Sequence, residues 1–264
     1  MIELSAANNN VTRLRRLQHK RAAREAEGCI VVEGITAVRD AVRAGRARSV
    51  FVRAGEAPTV ESMLASGGSV PVYVLDAKTF DGVATTVAPQ AALAVVDWQP
   101  ATIDDLALDH GPAIVLDGVG DPGNVGTIVR VADAAGACAV FAGPRTADVT
   151  APKVVRSATG ALLRVPVVTA LTTTAAIAAL RARSVRCVGA VAHGGIPYDE
   201  FDWSVPVAIV MGSEAHGIDG AVDALLDAEV SIDMAPGAES LNVAVACAVL
   251  SFEIRRRRPK TRQR

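Results

Sequence analysis

Aromatic side chains are scarce: among 264 residues there are five Phe, two Tyr and two Trp. A stacking platform that holds single-stranded bases needs aromatic faces, so that device is excluded as the main mode of recognition. Cysteine is sparse too. Cys29, Cys138, Cys187 and Cys247 stand far apart in apolar settings, and no two share metal-ligand or redox spacing. They read as small buried hydrophobes in a reducing compartment. The four histidines (His19, His110, His193 and His216) form no ligand cluster, so no metal is expected. The N-terminal stretch lacks a signal peptide's apolar core, and no segment approaches the roughly 18 unbroken apolar residues of a membrane helix. Internal repeats and low-complexity tracts are missing as well. A soluble, cytoplasmic protein with no membrane partner is expected.

What is present is aliphatic. Hydrophobic residues make up 50% of the chain, which excludes an intrinsically disordered polymer. Ala, Val, Leu and Ile dominate, the mix that fills helices packed on buried parallel strands. The net charge of −1 hides a division. Residues 1–97 carry net +2, with +6 concentrated in residues 1–53; residues 98–254 carry −10; residues 255–264 carry +7. Two basic regions therefore flank an acidic middle. Such clusters attract polyanions through phosphate contacts, although a solvated helix and a frayed tail would look the same.

The hydrophobic rhythm divides the chain. Residues 11–24 read as one helix with Val11, Leu14 and Leu17 on one stripe. Strands are expected at 29–33, 49–53, 72–75 and 92–96, with a helix over 35–44 closed by Gly45. Residues 1–97 thus form a small α/β unit. Residues 98–112 are polar with a Pro near either end and read as a linker. From Ala113 the strands turn solidly apolar, at 113–117, 138–143, 187–192, 206–212 and 229–233. Helical stretches at 125–136, 172–183, 218–227 and 241–256 separate them. This alternation implies a parallel sheet covered on both faces, with ligands at the carboxyl ends of its strands. The second domain spans 113–258, followed by a basic tail at 259–264.

Three strand ends carry the informative residues. GVGDPGNVGTIVRVADAAGA (118–137) places Gly118, Gly120 and Gly123 in a G-x-G-x-x-G pattern. As a dinucleotide fingerprint it is weak: Pro122 sits in the turn, the helix is expected only from Val125, and no acid ends the next strand. The segment instead lifts Asn124 to a helix start, with Arg130 about two turns into an apolar helix and near the same face. A guanidinium there is costly unless an anion meets it; a salt bridge to Asp133 or another acid is the ordinary explanation. IVMGSEAHGI (209–218) runs a strand into Gly212, Ser213 and Glu214, the last expected at or before a helix start, where plain capping is the ordinary explanation. SIDMAPGAESLNVAVACAVLSFEIRRRR (231–258) ends a strand, turns at Pro236-Gly237, and opens a long helix with Ser240 as N-cap and Asn242 in its first turn.

Together these segments resemble the SpoU/TrmH family of RNA 2′-O-ribose methyltransferases, within the SPOUT class. The carriers are DPGNVGTIVRVADAAG, IVMGSEAHGI and MAPGAESLNVAVACAVLSFEI, in the family's order and spacing, with SATGALLRVP (157–166) similar to its small-residue segment. HKRAAREAEGCIVVEG (19–34) is similar to the ribosomal-protein-like RNA-binding domain of rRNA-directed members, including thiostrepton-resistance enzymes. The resemblance implies an α/β parallel-sheet methyltransferase domain with a C-terminal trefoil knot, a homodimer with its site at the interface, and S-adenosylmethionine (AdoMet) as cofactor. It implies cofactor contacts around Ala192, Met211, Gly212, Ser213, Ile232, Met234 and Leu241. Arg130, Asn124, Glu214, Ser240 and Asn242 become the catalytic candidates. Arg130 would clamp a phosphate or stabilise a developing alkoxide, because a guanidinium holds its proton too firmly to act as a free base. Asn124 would orient Arg130 or the ribose, Ser240 and Asn242 would bond the 2′-oxygen or the cofactor, and Glu214 would support the pocket. Arg13, Arg15, Arg16, Lys20, Arg21 and Arg24 become candidates for RNA phosphate contacts. The implied partner is RNA, 23S rRNA ahead of tRNA. A nicotinamide-dependent dehydrogenase and a non-catalytic RNA-binding protein are the rivals from other classes.

Overall fold

The computed structural model describes residues 1–58, 60, 69–85, 90–108 and 110–258, so the expected basic tail lies outside the described residues. The chain forms two compact units. The first comprises Met1–Gln99 together with Thr150–Leu163, and the second comprises Pro100–Val149 with Arg164–Arg264.

In the first unit, β1 (Ile2–Leu4), β2 (Cys29–Glu33), β3 (Ala47–Arg53), β4 (Val72–Leu75) and β5 (Ala92–Asp97) form a mixed sheet in the order β1-β4-β3-β5-β2. β5 runs antiparallel to both β2 and β3, while β1 and β3 run parallel to β4. Helices α1 (Asn9–His19), α2 (Arg21–Glu27), α3 (Ile35–Arg43) and α4 (Ala77–Asp81) accompany it. The expected stripe of Val11, Leu14 and Leu17 is fully buried against Phe51, Leu75, Phe80 and Leu93. The helix expected over 11–24 is two helices, broken at Lys20, whose backbone is extended (φ −120°, ψ 111°). The break has a purpose in packing. It turns Arg24 inward, where its guanidinium donates to the Leu17 carbonyl (2.9 Å) and to Thr150 Oγ1 (3.0 Å).

The second unit is a seven-stranded, wholly parallel sheet in the order β10-β12-β9-β11-β6-β7-β8. Its strands are β6 (Ala113–Asp117), β7 (Ala139–Ala142), β8 (Val167–Val168), β9 (Arg186–Val191), β10 (Ile196–Pro197), β11 (Val207–Gly212) and β12 (Ala228–Ser231). Its helices are α5 (Pro122–Ala135), α7 (Thr173–Arg181), α8 (Gly220–Asp223) and α9 (Val243–Arg257). In β11 Val210 sits between Val115 and Gly189, so the solidly apolar strands occupy the sheet centre, as burial on two faces requires.

One segment departs from the expected order. Thr150–Leu163, with α6 (Pro152–Ala158), belongs to the first unit although its sequence lies amid the second. Val154, Val155, Ala158, Ala161 and Leu162 are all buried, so this excursion adds apolar surface to the smaller core.

All four cysteines are free and buried. Burial, reinforced by the Asp227 carboxylate, pushes the Cys187 thiol up to about 12; burial does the same to Cys247. Thiolate is the reactive form. The native protein should therefore leave Ellman's reagent unreacted at pH 8, and four thiols should titrate once denaturant is added; rapid labelling of the native protein would contradict this packing.

Candidate active site

The carboxyl ends of β9, β11 and β12 open into a cavity of about 460 Å³. Apolar side chains make most of its wall: Met211, Val230, Ile232, Leu241, Val243 and Leu250. All seven residues expected around a cofactor line it, and so do Glu214, Ser240 and Asn242.

Gly212 shapes one wall. A Cβ there would lie 2.3 Å from the Gly217 carbonyl carbon and 2.4 Å from the Ile218 nitrogen, so only glycine lets the strand end fold back on itself. The turn is closed by reciprocal backbone bonds between Ser213 and Gly217, both 2.9 Å, and the Ser213 hydroxyl accepts from the His216 amide at 3.1 Å. Glu214 therefore sits in this turn, and the helix start expected beside it is absent. His216 is exposed.

Helix α5 begins earlier than the sequence suggests. Asp121 is its N-cap, accepting from the Asn124 amide at 2.9 Å, and Pro122 occupies the first turn. Asn124 is thus inside the first turn and half-buried. Its Nδ2 donates to Glu214 Oε1 at 2.7 Å, and its Oδ1 accepts from Asn242 Nδ2 at 3.0 Å. Asn242, and not Ser240, caps α9: its Oδ1 accepts from the amides of Ala244 (2.9 Å) and Val245 (3.3 Å). Ser240 stays exposed in the preceding loop. The three motifs, distant in sequence, meet in this Glu214–Asn124–Asn242 chain.

Arg130 is elsewhere. It follows Asn124 by six positions, about 240° around an α-helix, so the shared face expected for them does not exist. It is exposed and is absent from the cavity lining. The expected salt bridge to Asp133 is absent too, because Asp133 pairs with Arg164 at 2.7 Å. Among the described residues Arg130 has no ion pair or hydrogen bond through its side chain.

The basic residues of 13–24 divide. Among the described residues Arg15 and Lys20 hold no acid; Arg21 pairs with Glu25 (2.6 Å), and Arg13 and Arg16 both pair with Glu27, Arg13 at 2.6 Å. Arg24, 5% exposed and bonded inside the unit, is withdrawn from the phosphate-contact set: a guanidinium so enclosed cannot meet an incoming anion.

Sequence reading missed Asp117. This carboxylate ends β6, is 2% exposed, and accepts from Thr173 Oγ1 (3.0 Å), Arg145 Nη2 (3.1 Å) and the Asp219 amide (2.8 Å). Arg145 also bridges Asp219 at 3.0 Å. Asp117 thereby anchors the far end of the Gly212–Asp219 turn. The signal was there: an acid terminating an apolar strand, AIVLD. Among the described residues no group of three or more potential metal ligands occurs, and no helix is long and apolar enough to cross a membrane.

Comparison with known proteins decides the class. Residues 111–252 match the SpoU rRNA Methylase family, and residues 8–94 match an MRM3-like substrate binding domain. The chain belongs to the SpoU rRNA methylase family. It is 32% identical over 252 residues to the 23S rRNA (guanosine(2553)-2′-O)-methyltransferase RlmP of Bacillus subtilis, spanning 95% of this chain and 98% of that protein. Among solved structures it is similar to the SpoU methyltransferase AviRb from Streptomyces viridochromogenes in complex with AdoMet (TM-score 0.85, 28% identity, 94% of this chain and 97% of that one). It is also similar to an AdoMet-bound rRNA methyltransferase from Sinorhizobium meliloti (TM-score 0.84, 28% identity, 96% and 97%). An RNA-methylating enzyme is therefore preferred over the dehydrogenase and the non-catalytic binder.

Asp117→Ala should strand the Asp219 amide without an acceptor, costing about 1–3 kcal/mol of stability. Hydrogen exchange of that amide should accelerate more than exchange in the first unit; uniform exchange rates would show that the turn does not depend on Asp117.

Proposed function

We propose that this protein transfers a methyl group from AdoMet to a ribose 2′-hydroxyl of 23S rRNA, as a cytoplasmic homodimer. The observation that carries the reading is the apolar cavity with the Glu214–Asn124–Asn242 chain beside it. Its size falls in the range of small-ligand sites. Its lining carries one charged side chain, the Glu214 carboxylate, and no cation, which suits a positively charged ligand. Ala192, Met211, Gly212, Ser213, Ile232, Met234 and Leu241 would hold AdoMet, backbone groups bonding its adenine and ribose. Bound there, AdoMet supplies an electrophilic methyl carbon on a sulfonium. In this reading the segment from 232 onward is threaded as a trefoil knot.

The chain's own residues position the attacking oxygen. Glu214 fixes which way the Asn124 amide faces, and Asn124 in turn fixes Asn242, so a ribose meets prearranged groups. Ser240, exposed beside them, offers a hydroxyl to the 2′-oxygen. Arg130 acts as an electrostatic clamp on the neighbouring phosphate or the developing alkoxide. Because it lies outside the cavity of its own chain, it serves the site of a second copy. One further feature supports the dimer: α9 exposes Val245 (50%) and Phe252 (47%), seven residues apart on one helix face. Among the basic residues of the first unit, Arg13, Arg15, Arg16, Lys20 and Arg21 supply RNA phosphate contacts; few aromatics leave shape and charge to dominate.

Mass-spectrometric mapping of ribose methylation in total RNA, with and without the protein, tests the reading. One new 2′-O-methyl group in 23S rRNA is expected; a new group in tRNA instead would move the substrate assignment, and none at all would sink it. Arg130→Ala should lower turnover about 100-fold or more while leaving S-adenosylhomocysteine affinity intact by calorimetry. Phe252→Asp should convert the dimer to a monomer in sedimentation and remove turnover with it. Activity retained in a monomeric variant would return Arg130 to its own chain's site.

A further inference from the structure

The first unit holds a second cavity, of about 300 Å³, that the methyl-transfer chemistry does not use. Its walls come from two stretches far apart in sequence. One is the end of β2 and the start of α3, through Glu33, Gly34, Thr36 and Ala37, joined by Gln90. The other is the Thr150–Leu163 excursion, through Val155, Arg156, Thr159 and Gly160. The excursion that completes the smaller core also forms one wall of this cavity.

The lining is polar and of mixed character. Arg156 spends one guanidinium nitrogen on the Thr85 hydroxyl and, among the described residues, pairs with no acid, so it offers a cation with donors to spare. Gln90 is exposed, with its backbone amide held by Glu33 Oε1 at 3.3 Å, which leaves a carboxamide that can donate and accept. Thr36 and Thr159 add exposed hydroxyls. Thr159 is one of two described residues other than glycine with positive φ (49°), at the C-cap of α6, where glycine is the unstrained choice. Its hydroxyl donates to the Arg156 and Ser157 carbonyls (3.5 and 3.4 Å), which leaves the oxygen as an acceptor at the cavity.

We infer that this cavity takes one unpaired nucleotide of the RNA substrate, with Arg156 facing its phosphate or base plane and Gln90, Thr36 and Thr159 facing its base edge. The inference rests on the RNA methyltransferase reading and assigns the first unit its recognition element. A duplex is too wide for a cavity of this size, whereas a base splayed out of a loop presents both an edge and a neighbouring phosphate. With no aromatic side chain in the wall, recognition falls to hydrogen bonds and the guanidinium plane.

The test uses the full-length protein and a 23S rRNA fragment that it methylates. Arg156→Gln and Thr159→Gly should each raise KM for RNA on the order of tenfold. kcat at saturating RNA and S-adenosylhomocysteine affinity should not move. Thr159→Gly relieves the backbone, so its Tm should hold or rise, which separates lost recognition from lost folding. RNA carrying 4-thiouridine or 6-thioguanosine should photo-crosslink to a peptide containing Thr36, Gln90 or Thr159. Methylation with unchanged KM in both variants and no such crosslink overturns this cavity's role alone; absence of RNA methylation by the unaltered protein overturns the reading beneath it.

Discussion

The carboxamide of Asn124 ties three loops of the second unit together. It donates to Glu214 on the β11 turn and accepts from Asn242 on the cap of α9, while its own amide is held by Asp121. A carboxamide can do this because it carries a donor and an acceptor on opposite sides of one carbon. A carboxylate at 124 would face Glu214 with like charge, and an aliphatic side chain would remove both of these bonds, leaving Glu214 only the Gly120 amide (3.4 Å). The apolar cavity, the capped helix and the returning turn are separate pieces of local chemistry until this residue couples them.

The parallel sheet makes the coupling possible. Strands that all run one way deliver all their carboxyl ends to one edge, so β6, β9, β11 and β12 contribute loops to a shared space. Asp117 does at the β6 end what Asn124 does at the mouth: it fixes a loop by accepting from several donors at once. A buried carboxylate is costly, and its three donors offset that cost.

Much of this was legible beforehand. The five central strands of the second unit and the burial of Val11, Leu14 and Leu17 follow from hydrophobic spacing; the two-residue edge strands β8 and β10 are too short to show a period. Asn124, Glu214 and Asn242 stood out as polar residues beside apolar runs. The helix starts were harder to read, since Ser240 and Asn242 are both good caps and only tertiary bonding chooses Asn242. The break at Lys20 was hidden because Arg24 looks solvent-facing until a buried carbonyl claims it. Arg130 was placed beside Asn124 by its distance along the helix rather than its angle around it. The excursion of Thr150–Leu163 was illegible because periodicity reports which residues are buried, not against which core.

That excursion also constrains how the polypeptide can be made. The smaller unit is built from two stretches separated by fifty residues of the larger one, from Pro100 to Val149. During synthesis its hydrophobic interior must wait, missing one wall, until the α6 segment has cleared the ribosome. By then the leading strands of the neighbouring sheet have already emerged. The two units are thus interleaved in time as well as in connectivity, and a fragment ending at the obvious boundary near residue 99 would lack part of the core it was cut to preserve.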